Sequence, residues 1–312
     1  MKRFVGILVV LSSLALISFL SVAFSQGPSE LANQHKIIHR LRSDKDEDKN
    51  KDAHPPEAGK AKPQRGNGIT YHGGPLMLGT THMYYIWYGT WTGNTATTIL
   101  EDFARSIGGS PYFNINTTYY NGSNVHVSNS VTFGGSTNTN TSVYGTSLTD
   151  AEIQSIVRDA LVSGRLAYDT SGVYFVLTSA DVTASSGFCT QYCGWHTYGT
   201  INGFNIKYSF VGNPDRCPSA CEAQTTGPNG NAGADGMASI IAHELEEAVT
   251  DPNLNAWYDI HGAENADKCA WTFGSLSTAG NGSKYNMTLG SRNYLIQQNW
   301  VNASGGFCAK SY

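Results

Sequence analysis

Basic side chains are scarce in most of this 312-residue chain. After residue 65 the sequence contains nine Lys and Arg residues against 17 Asp and Glu residues, so this part carries a formal charge of −8. A surface that binds nucleic acid or an anionic membrane needs clustered positive charge. The composition therefore argues against both kinds of partner for residues 66–312, and we predict that the protein binds no nucleic acid.

The sequence also lacks an internal repeat and a regular alternation of strands and helices. This irregular mixture indicates an α+β fold. We predict a single domain over residues 68–312, with a mixed sheet and packed helices. Strand-like segments rich in aromatic and β-branched residues lie at 69–77, 82–91, 172–178 and 203–212, the last with the alternation of a half-buried strand. Helices are predicted within 92–109, within 148–164 and from about 236 to 250, and the tail at 285–308 is predicted to form a hairpin region.

The second helix has a recognisable start signal. Thr149 and Glu152 form the T-x-x-E pattern of a capping box, in which each side chain bonds to the backbone of the other residue. We therefore expect the helix to begin directly after Thr149.

The N-terminus has the pattern of a secretory signal peptide. Lys2 and Arg3 precede an apolar run, and the small residues Ala23 and Ser25 occupy the positions that a signal peptidase reads. We predict that residues 1–25 are removed and that the mature protein is extracellular, with no membrane segment left. The alternative is an uncleaved anchor, because the apolar run approaches the length that spans a bilayer.

Aromatic residues are missing from the segment that follows. Residues 41–66 are dominated by charged side chains and include three prolines. Such a composition cannot bury enough apolar surface to offset the entropy of ordering. We predict that residues 26–67 form a disordered charged linker or a pro-segment.

Cysteine is absent from the first 188 residues, and the later part of the chain contains six. An even number of cysteines in a secreted chain favours disulfides over a metal cluster. Among the alternatives we predict three pairs: Cys189–Cys193, Cys217–Cys221 and Cys269–Cys308. Six N-x-[ST] sequons would carry glycans if the host glycosylates its secreted proteins, and would otherwise be surface polar residues: Asn116, Asn121, Asn140, Asn281, Asn286 and Asn302.

The third predicted helix lacks one residue of a known signature. The stretch SIIAHELEEAVTDP (239–252) follows the zinc-peptidase pattern H-E-x-x-H, except that Glu247 replaces the second histidine. His243 and Glu247 are four residues apart, which places them on one face of a helix and within reach of one metal ion. Glu244 occupies the position of the general base, which takes a proton from the attacking water. A helix with no metal remains the alternative.

A carboxylate can replace an imidazole as a zinc ligand, and the resulting site also tolerates manganese or calcium. The third ligand would come from the acidic residues that follow, since Glu264 and Asp267 lie 17 and 20 residues after Glu247. This spacing resembles the thermolysin-like arrangement, in which a later glutamate completes the site. His196, Asp259 and His261 are weaker candidates.

Four segments together resemble a known family: YHGGPLMLGTTHMYYIWYGTWT (71–92), FCTQYCGWHTYGT (188–200), ASIIAHELEEAVTDPNLNAWYD (238–259) and GAENADKC (262–269). They are similar to the phosphate-induced protein family of plants, also called the EXORDIUM family, over about residues 68–308. The resemblance implies a secreted protein, in plants located in the apoplast and cell wall and linked to growth responses. It implies no particular reaction. The family helix typically reads H-E-x-x-E, so Glu247 matches the family pattern.

Two functions follow as expectations. The first is a secreted, zincin-like metal-dependent peptidase, with Glu244 as general base, His243, Glu247 and Asp267 as zinc ligands, and Glu264 supporting or replacing Asp267. The alternative is a non-enzymatic extracellular or cell-wall protein that acts in growth signalling or carbohydrate binding, with a structural metal or none. The expected partner is a peptide or a cell-wall component. We predict that His72 and His82 are packed, hydrogen-bonded residues, and that most of the tryptophans belong to the core.

Overall fold

A computed structural model describes residues 37–42 and 68–312. The predicted signal peptide (1–25) lies outside the described residues, as do residues 26–36 and 43–67 of the predicted linker. Within the described ranges, no helix is both long and apolar enough to cross a membrane.

The centre of the fold is a mixed sheet of six strands in the order β1-β8-β9-β6-β3-β4. These strands are β1 (Ile37–Arg40), β3 (Thr81–Tyr88), β4 (Val131–Thr139), β6 (Gly172–Thr178), β8 (Tyr192–Ile201) and β9 (Phe204–Gly212). The four strands from β9 to β4 run parallel to their neighbours, whereas β8 is antiparallel to both β9 and β1. The predicted α+β architecture with a mixed sheet is confirmed.

Ten short strands pair outside this sheet. They are β2 (Thr70–Tyr71), β5 (Ser147–Leu148), β7 (Thr183–Ala184), β10 (Trp257–Tyr258), β11 (Ser277–Thr278), β12 (Lys284–Tyr285), β13 (Met287–Leu289), β14 (Arg292–Tyr294), β15 (Asn299–Val301) and β16 (Phe307–Ala309). The pairs β13–β14 and β15–β16 confirm the predicted hairpin region of the tail.

Four α-helices are described: α1 (Ala96–Ser106), α2 (Asp150–Val162), α3 (Pro218–Cys221) and α4 (Ala232–Thr250). Three 3-10 helices cover Phe113–Thr118, Pro214–Arg216 and Asp267–Cys269. Thr149 and Glu152 form the predicted capping box at the start of α2. In α1, Ile99 and Phe103 lie one turn apart and are buried, as amphipathic spacing predicts.

The helix α4 is central, and nearly all its residues are buried. It packs against β8 and β9 of the sheet and against α1. Gly194 of β8 makes this close approach feasible, since a Cβ at that position would lie 2.6 Å from Ile240 Cγ2 and 3.0 Å from Glu244 Oε1. The apolar residues of α4 fit this interior position. Its ionisable residues, among them His243, Glu244 and Glu247, are buried with them.

Three expectations about strands were wrong or incomplete. β9 is buried from Ile206 onward, not half-buried, because both α2 and α4 pack against it. The segment 69–77 contains only the two-residue strand β2. β3 and its parallel neighbour β4 are joined through α1, so the sheet contains a βαβ crossover that the sequence pattern did not reveal. In addition, residues 37–40 of the predicted linker form β1.

Two of the three predicted disulfides are wrong. The bonds are Cys189–Cys217, Cys193–Cys221 and Cys269–Cys308, so only the last prediction is confirmed. The start of β8 and the helix α3 lie side by side, with Cα–Cα distances of 5.8 and 5.6 Å across the two bonds. Each cysteine therefore pairs with a residue of the other segment and not with its neighbour four residues away.

The described tryptophans belong to the core, as predicted: Trp87, Trp91, Trp195, Trp257, Trp271 and Trp300 are all buried. The sequon residue Asn116 is not a surface residue, because it is fully buried within a 3-10 helix and donates to the carbonyl of Phe113. His72 bonds to Thr70 and stacks on Tyr258, and His82 bonds to Asp169 at 2.5 Å. Both histidines are therefore hydrogen-bonded, as predicted, but His72 is exposed and not packed in the core.

Candidate metal centre

Three parts of the fold bring acidic and imidazole side chains together. The helix α4 supplies His243, Glu244 and Glu247 from one face. The loop that leads into the 3-10 helix at Asp267–Cys269 supplies Glu264 and Asp267. The strand β8 supplies His196 from below the helix. We call these six residues the His-Glu cluster.

The predicted ligands of one ion form the first half of the cluster. His243 Nε2 lies 2.9 Å from Glu247 Oε1 and 3.6 Å from Asp267 Oδ1. The backbone N–H of Asp267 donates to Glu247 Oε1 at 3.1 Å, which fixes the loop against the helix. Gln297 contacts His243 Nδ1 through its side-chain nitrogen. Ligand atoms of His243, Glu247 and Asp267 all lie within 4.8 Å of one another.

The second half of the cluster is organised by His196. Its Nε2 atom lies 2.8 Å from Glu264 Oε2 and 3.7 Å from Glu247 Oε2. Ligand atoms of His196, Glu244 and Glu247 also lie within 4.8 Å of one another. Glu247 thus belongs to both halves of the cluster. Glu264 was predicted to lie beside His243, but it contacts His196 instead.

Two of the weaker candidates from the sequence, Asp259 and His261, are not part of the His-Glu cluster. Asp259 is engaged with Lys268 at 3.1 Å and accepts from the backbone of His261 and Ala263. His261 is exposed. Conversely, His196 ranked as a weak candidate in the sequence, and Gln297 was not identified at all. The CGWH context of His196 indicated only a rigid position near a cysteine, and no sequence signal pointed to Gln297.

Burial controls the electrostatics of the cluster. It raises the pKa of Glu244 and of Glu264 well above the usual carboxyl range, and the nearby Glu247 carboxylate adds to both shifts. Burial also raises the pKa of Glu247 to about 7, although the His243 imidazole opposes that shift. For His243, burial favours the neutral ring, but the carboxyl groups of Glu247, Asp267 and Glu244 together outweigh burial and raise the pKa well above its usual value. Burial and the proximity of His243 lower the pKa of His196 to about 3.

Several carboxylate oxygens in this cluster lack hydrogen-bond donors. Among the described residues, neither oxygen of Glu244 has a partner, and the same is true of Glu247 Oε2 and Glu264 Oε1. A buried, unpaired carboxylate is costly, and such groups normally bind a cation or take up a proton. The cluster must therefore be neutralised by protons or by a metal ion.

The residues fit a divalent metal. Imidazole nitrogens and carboxylate oxygens are the ligands that zinc accepts, and atoms bound tetrahedrally to zinc at about 2.1 Å lie about 3.4 Å apart. The separation of 3.6 Å between His243 Nε2 and Asp267 Oδ1 is close to that value and too long for a hydrogen bond. His243 Nε2 and Glu247 Oε1, at 2.9 Å, are at hydrogen-bond distance and would move apart to hold the ion. Zinc bound here would supply the positive charge that the carboxylates lack.

Access to the cluster is narrow. The side chains of His243, Glu247 and Glu264 are completely buried, and His196 is 1% exposed. Only Asp267 reaches solvent, with 19% of its side chain exposed. A catalytic zinc ion keeps an open position for water and substrate, whereas a structural site is closed. The burial of the cluster is closer to the closed type, and His243, Glu247 and Asp267 supply three protein ligands.

The residues that form this cluster lie within a region shared with a known protein family. Residues 69–308 match the phosphate-induced protein 1 conserved region, which covers the helix α4, His196 and the acidic loop. The chain belongs to the phosphate-induced protein 1 family. No solved structure matches this chain significantly.

Plant relatives of this family align over most of the chain. Protein EXORDIUM-like 3 of Arabidopsis thaliana is 32% identical over 271 residues, which cover 74% of this chain and 80% of the relative. Protein EXORDIUM of the same plant is 28% identical over 234 residues, 64% of this chain and 70% of the relative. Protein PHOSPHATE-INDUCED 1 of Nicotiana tabacum is 26% identical over 220 residues, 61% of this chain and 67% of the relative. None of these names states a reaction.

Proposed function

We propose that this protein is a non-enzymatic extracellular member of the phosphate-induced protein 1 family, with a growth-related role, and that one zinc ion stabilises its core. His243, Glu247 and Asp267 would bind the ion. Glu264 would hold His196 in place beside Glu247, and Gln297 would orient the ring of His243. The observation that carries the proposal is the burial of five of the six cluster residues around carboxylate oxygens that have no donors.

The extracellular part of the proposal has separate support. Three disulfides form within the family region, and disulfides persist in oxidising compartments. The N-terminal sequence has the features of a signal peptide. Both observations fit a protein that works outside the cell.

Elemental analysis of the purified secreted chain tests the metal. We expect about one zinc ion per wild-type chain, because the structural type of site binds one ion tightly. His243→Ala and Asp267→Ala should lose it, and His72→Ala should retain it because His72 stacks on Tyr258 outside the cluster. A wild-type chain that stays metal-free after incubation with zinc would refute the proposal.

A second function, a metal-dependent hydrolase, is favoured by one observation. Glu244 occupies the general-base position, its oxygens lie within the cluster, and burial raises its pKa so that it can hold a proton. General-base catalysis by a carboxyl group generally relies on a pKa raised above its usual range. If Glu244→Gln keeps the zinc but abolishes a peptidase activity of the wild type, the hydrolase replaces our proposal. If the wild type cleaves no peptide in a broad library, the hydrolase is excluded.

A further inference from the structure

The outermost strand of the main sheet comes from a distant part of the chain. β1 pairs antiparallel with β8, with Ile37 opposite His196, Ile38 opposite Trp195 and His39 opposite Gly194. Residues 43–67 separate this segment from the rest of the fold. The family region begins at residue 69, so β1 lies outside it. Within the family region, β8 is therefore the edge strand of the sheet.

An edge strand presents backbone donors and acceptors that another strand can use. Extended peptides bind proteins in this way, with main-chain hydrogen bonds providing the affinity. β8 is well suited to this role because β9 holds it in register from Gly194 to Ile201. The half of β8 that pairs with β1, Tyr192 to His196, is the half that packs under α4.

At one end of the β8 edge, Arg42 is hydrogen-bonded to α3 and to the residue that follows this helix. The backbone N–H of Arg42 donates to the carbonyl of Ala220 at 2.9 Å, and its guanidinium donates to the carbonyl of Glu222 at 3.1 Å. The disulfides Cys189–Cys217 and Cys193–Cys221 join α3 to the start of β8. The β8 edge and the α3 carbonyls thus form one covalently fixed surface, which does not need β1 to hold its two parts together.

The segment and the rest of the folded part carry net charges of opposite sign. Residues 36–42 contain Lys36, Arg40 and Arg42 and no acidic residue, whereas residues 66–312 carry a formal charge of −8. Electrostatic attraction of this kind favours association and selects the partner. The chemistry fits a basic, extended peptide.

We infer that the outer edge of β8 is a peptide-binding site that residues 37–42 occupy within the same chain. When the chain is cut between residues 43 and 67, this segment becomes displaceable, and a basic extended peptide binds in its place. The inference does not depend on a metal ion in the His-Glu cluster.

The test uses the full chain with a specific protease site introduced between residues 43 and 67. The chain is immobilised by its C-terminus, cut, washed, and titrated with a labelled peptide of residues 35–44. We expect saturable binding to the cut chain and at least tenfold weaker binding to the uncut chain. The matched control is the same peptide with Ile37→Pro and Ile38→Pro, which keeps its charge but lacks two backbone donors. This control should bind at least tenfold more weakly.

Hydrogen exchange tests the location and the fold. Those amides of residues 192–196 that point toward β1 should lose protection after the cut and regain it with the peptide, while amides of β9 stay protected. Equal binding by the proline peptide would overturn the inference in favour of adsorption by charge alone. Equal binding by cut and uncut chains, or no binding, would also overturn it. Loss of protection throughout β9 would show that β1 is an integral strand, which again overturns it.

Discussion

Replacing Gly194 by alanine should destabilise the protein strongly, because β8 and α4 are in close contact at Gly194. An added Cβ would lie 2.6 Å from Ile240 Cγ2, 3.0 Å from Glu244 Oε1 and 3.0 Å from the carbonyl oxygen of Phe210. An ordinary carbon–carbon contact is about 3.5 to 4.0 Å, so the helix and strand must separate by about 1 Å. Neither element can shift alone, since α4 is buried and β8 is held by β9.

Overpacking of a core typically costs about 1 to 3 kcal/mol, and we expect the upper part of this range because one of the clashing atoms belongs to the backbone. A loss of about 2 to 3 kcal/mol lowers the Tm of a domain of this size by about 4 to 12 °C. Thermal unfolding followed by circular dichroism, with disulfides intact, measures the change. Gly79→Ala is the matched control, since a Cβ there meets nothing within 4 Å. If Gly194→Ala unfolds within 1 °C of the wild type, α4 does not pack on β8 as described.

Two further predictions concern covalent and ionic features. The bonds Cys189–Cys217 and Cys193–Cys221 each close a loop with a sequence separation of 28. In the chain-entropy model, a disulfide that closes a loop of this length stabilises the folded state by about 3.6 kcal/mol. The two disulfides, however, close nearly the same loop. Removing either disulfide should therefore lower the free energy of unfolding by less than that value. Removing both should lower it by more than the sum of the two single losses. Additive losses, measured by denaturant unfolding, would contradict this prediction. Burial raises the pKa of Asp235 from 3.8 to about 6. The folded state then retains a proton that the unfolded state releases, so this group reduces stability as pH rises from about 4 to about 6, by up to about 3 kcal/mol. Asp235→Asn should lack this component, and an identical pH dependence in both proteins would refute it.

The sequence predicts features whose causes are local. The capping box of Thr149 and Glu152 and the helix that contains His243 depend on residues within a few turns of each other. The spacing of Glu264 and Asp267 after Glu247, which resembles the thermolysin-like arrangement, predicts them as ligand candidates. Asp267 indeed reaches His243, with 3.6 Å between Oδ1 and Nε2.

Features that depend on distant segments were not predicted. His196 faces the cluster because β8 lies under α4, and Gln297 arrives from the C-terminal region 54 residues beyond His243. The exchange of disulfide partners between β8 and α3 likewise follows from their packing side by side. Spacing along the chain carries no information about such contacts. The composition of the linker concealed β1 for the same reason, since its pairing partner is more than 150 residues away.

The charge of the cluster can be balanced with a zinc ion or by protons alone. The proposed function depends on which of the two is present. If zinc is bound, its two positive charges offset the ionised carboxylates of Glu247 and Asp267, and protons remain on Glu244 and Glu264, whose pKa values burial raises. If it is not, protons on His243 and Glu247, whose pKa values are also raised, take its place. Zinc competes with those protons, so its affinity should rise with pH.

Anomalous X-ray scattering from crystals of the secreted protein, recorded on both sides of the zinc absorption edge, tests the central claim most directly. The account predicts one peak per chain, among His243 Nε2, the Glu247 carboxylate and the Asp267 carboxylate, that vanishes below the edge. Clear electron density for the cluster side chains without such a peak, in crystals grown with zinc, would contradict the proposal. It would show that protons alone neutralise these residues.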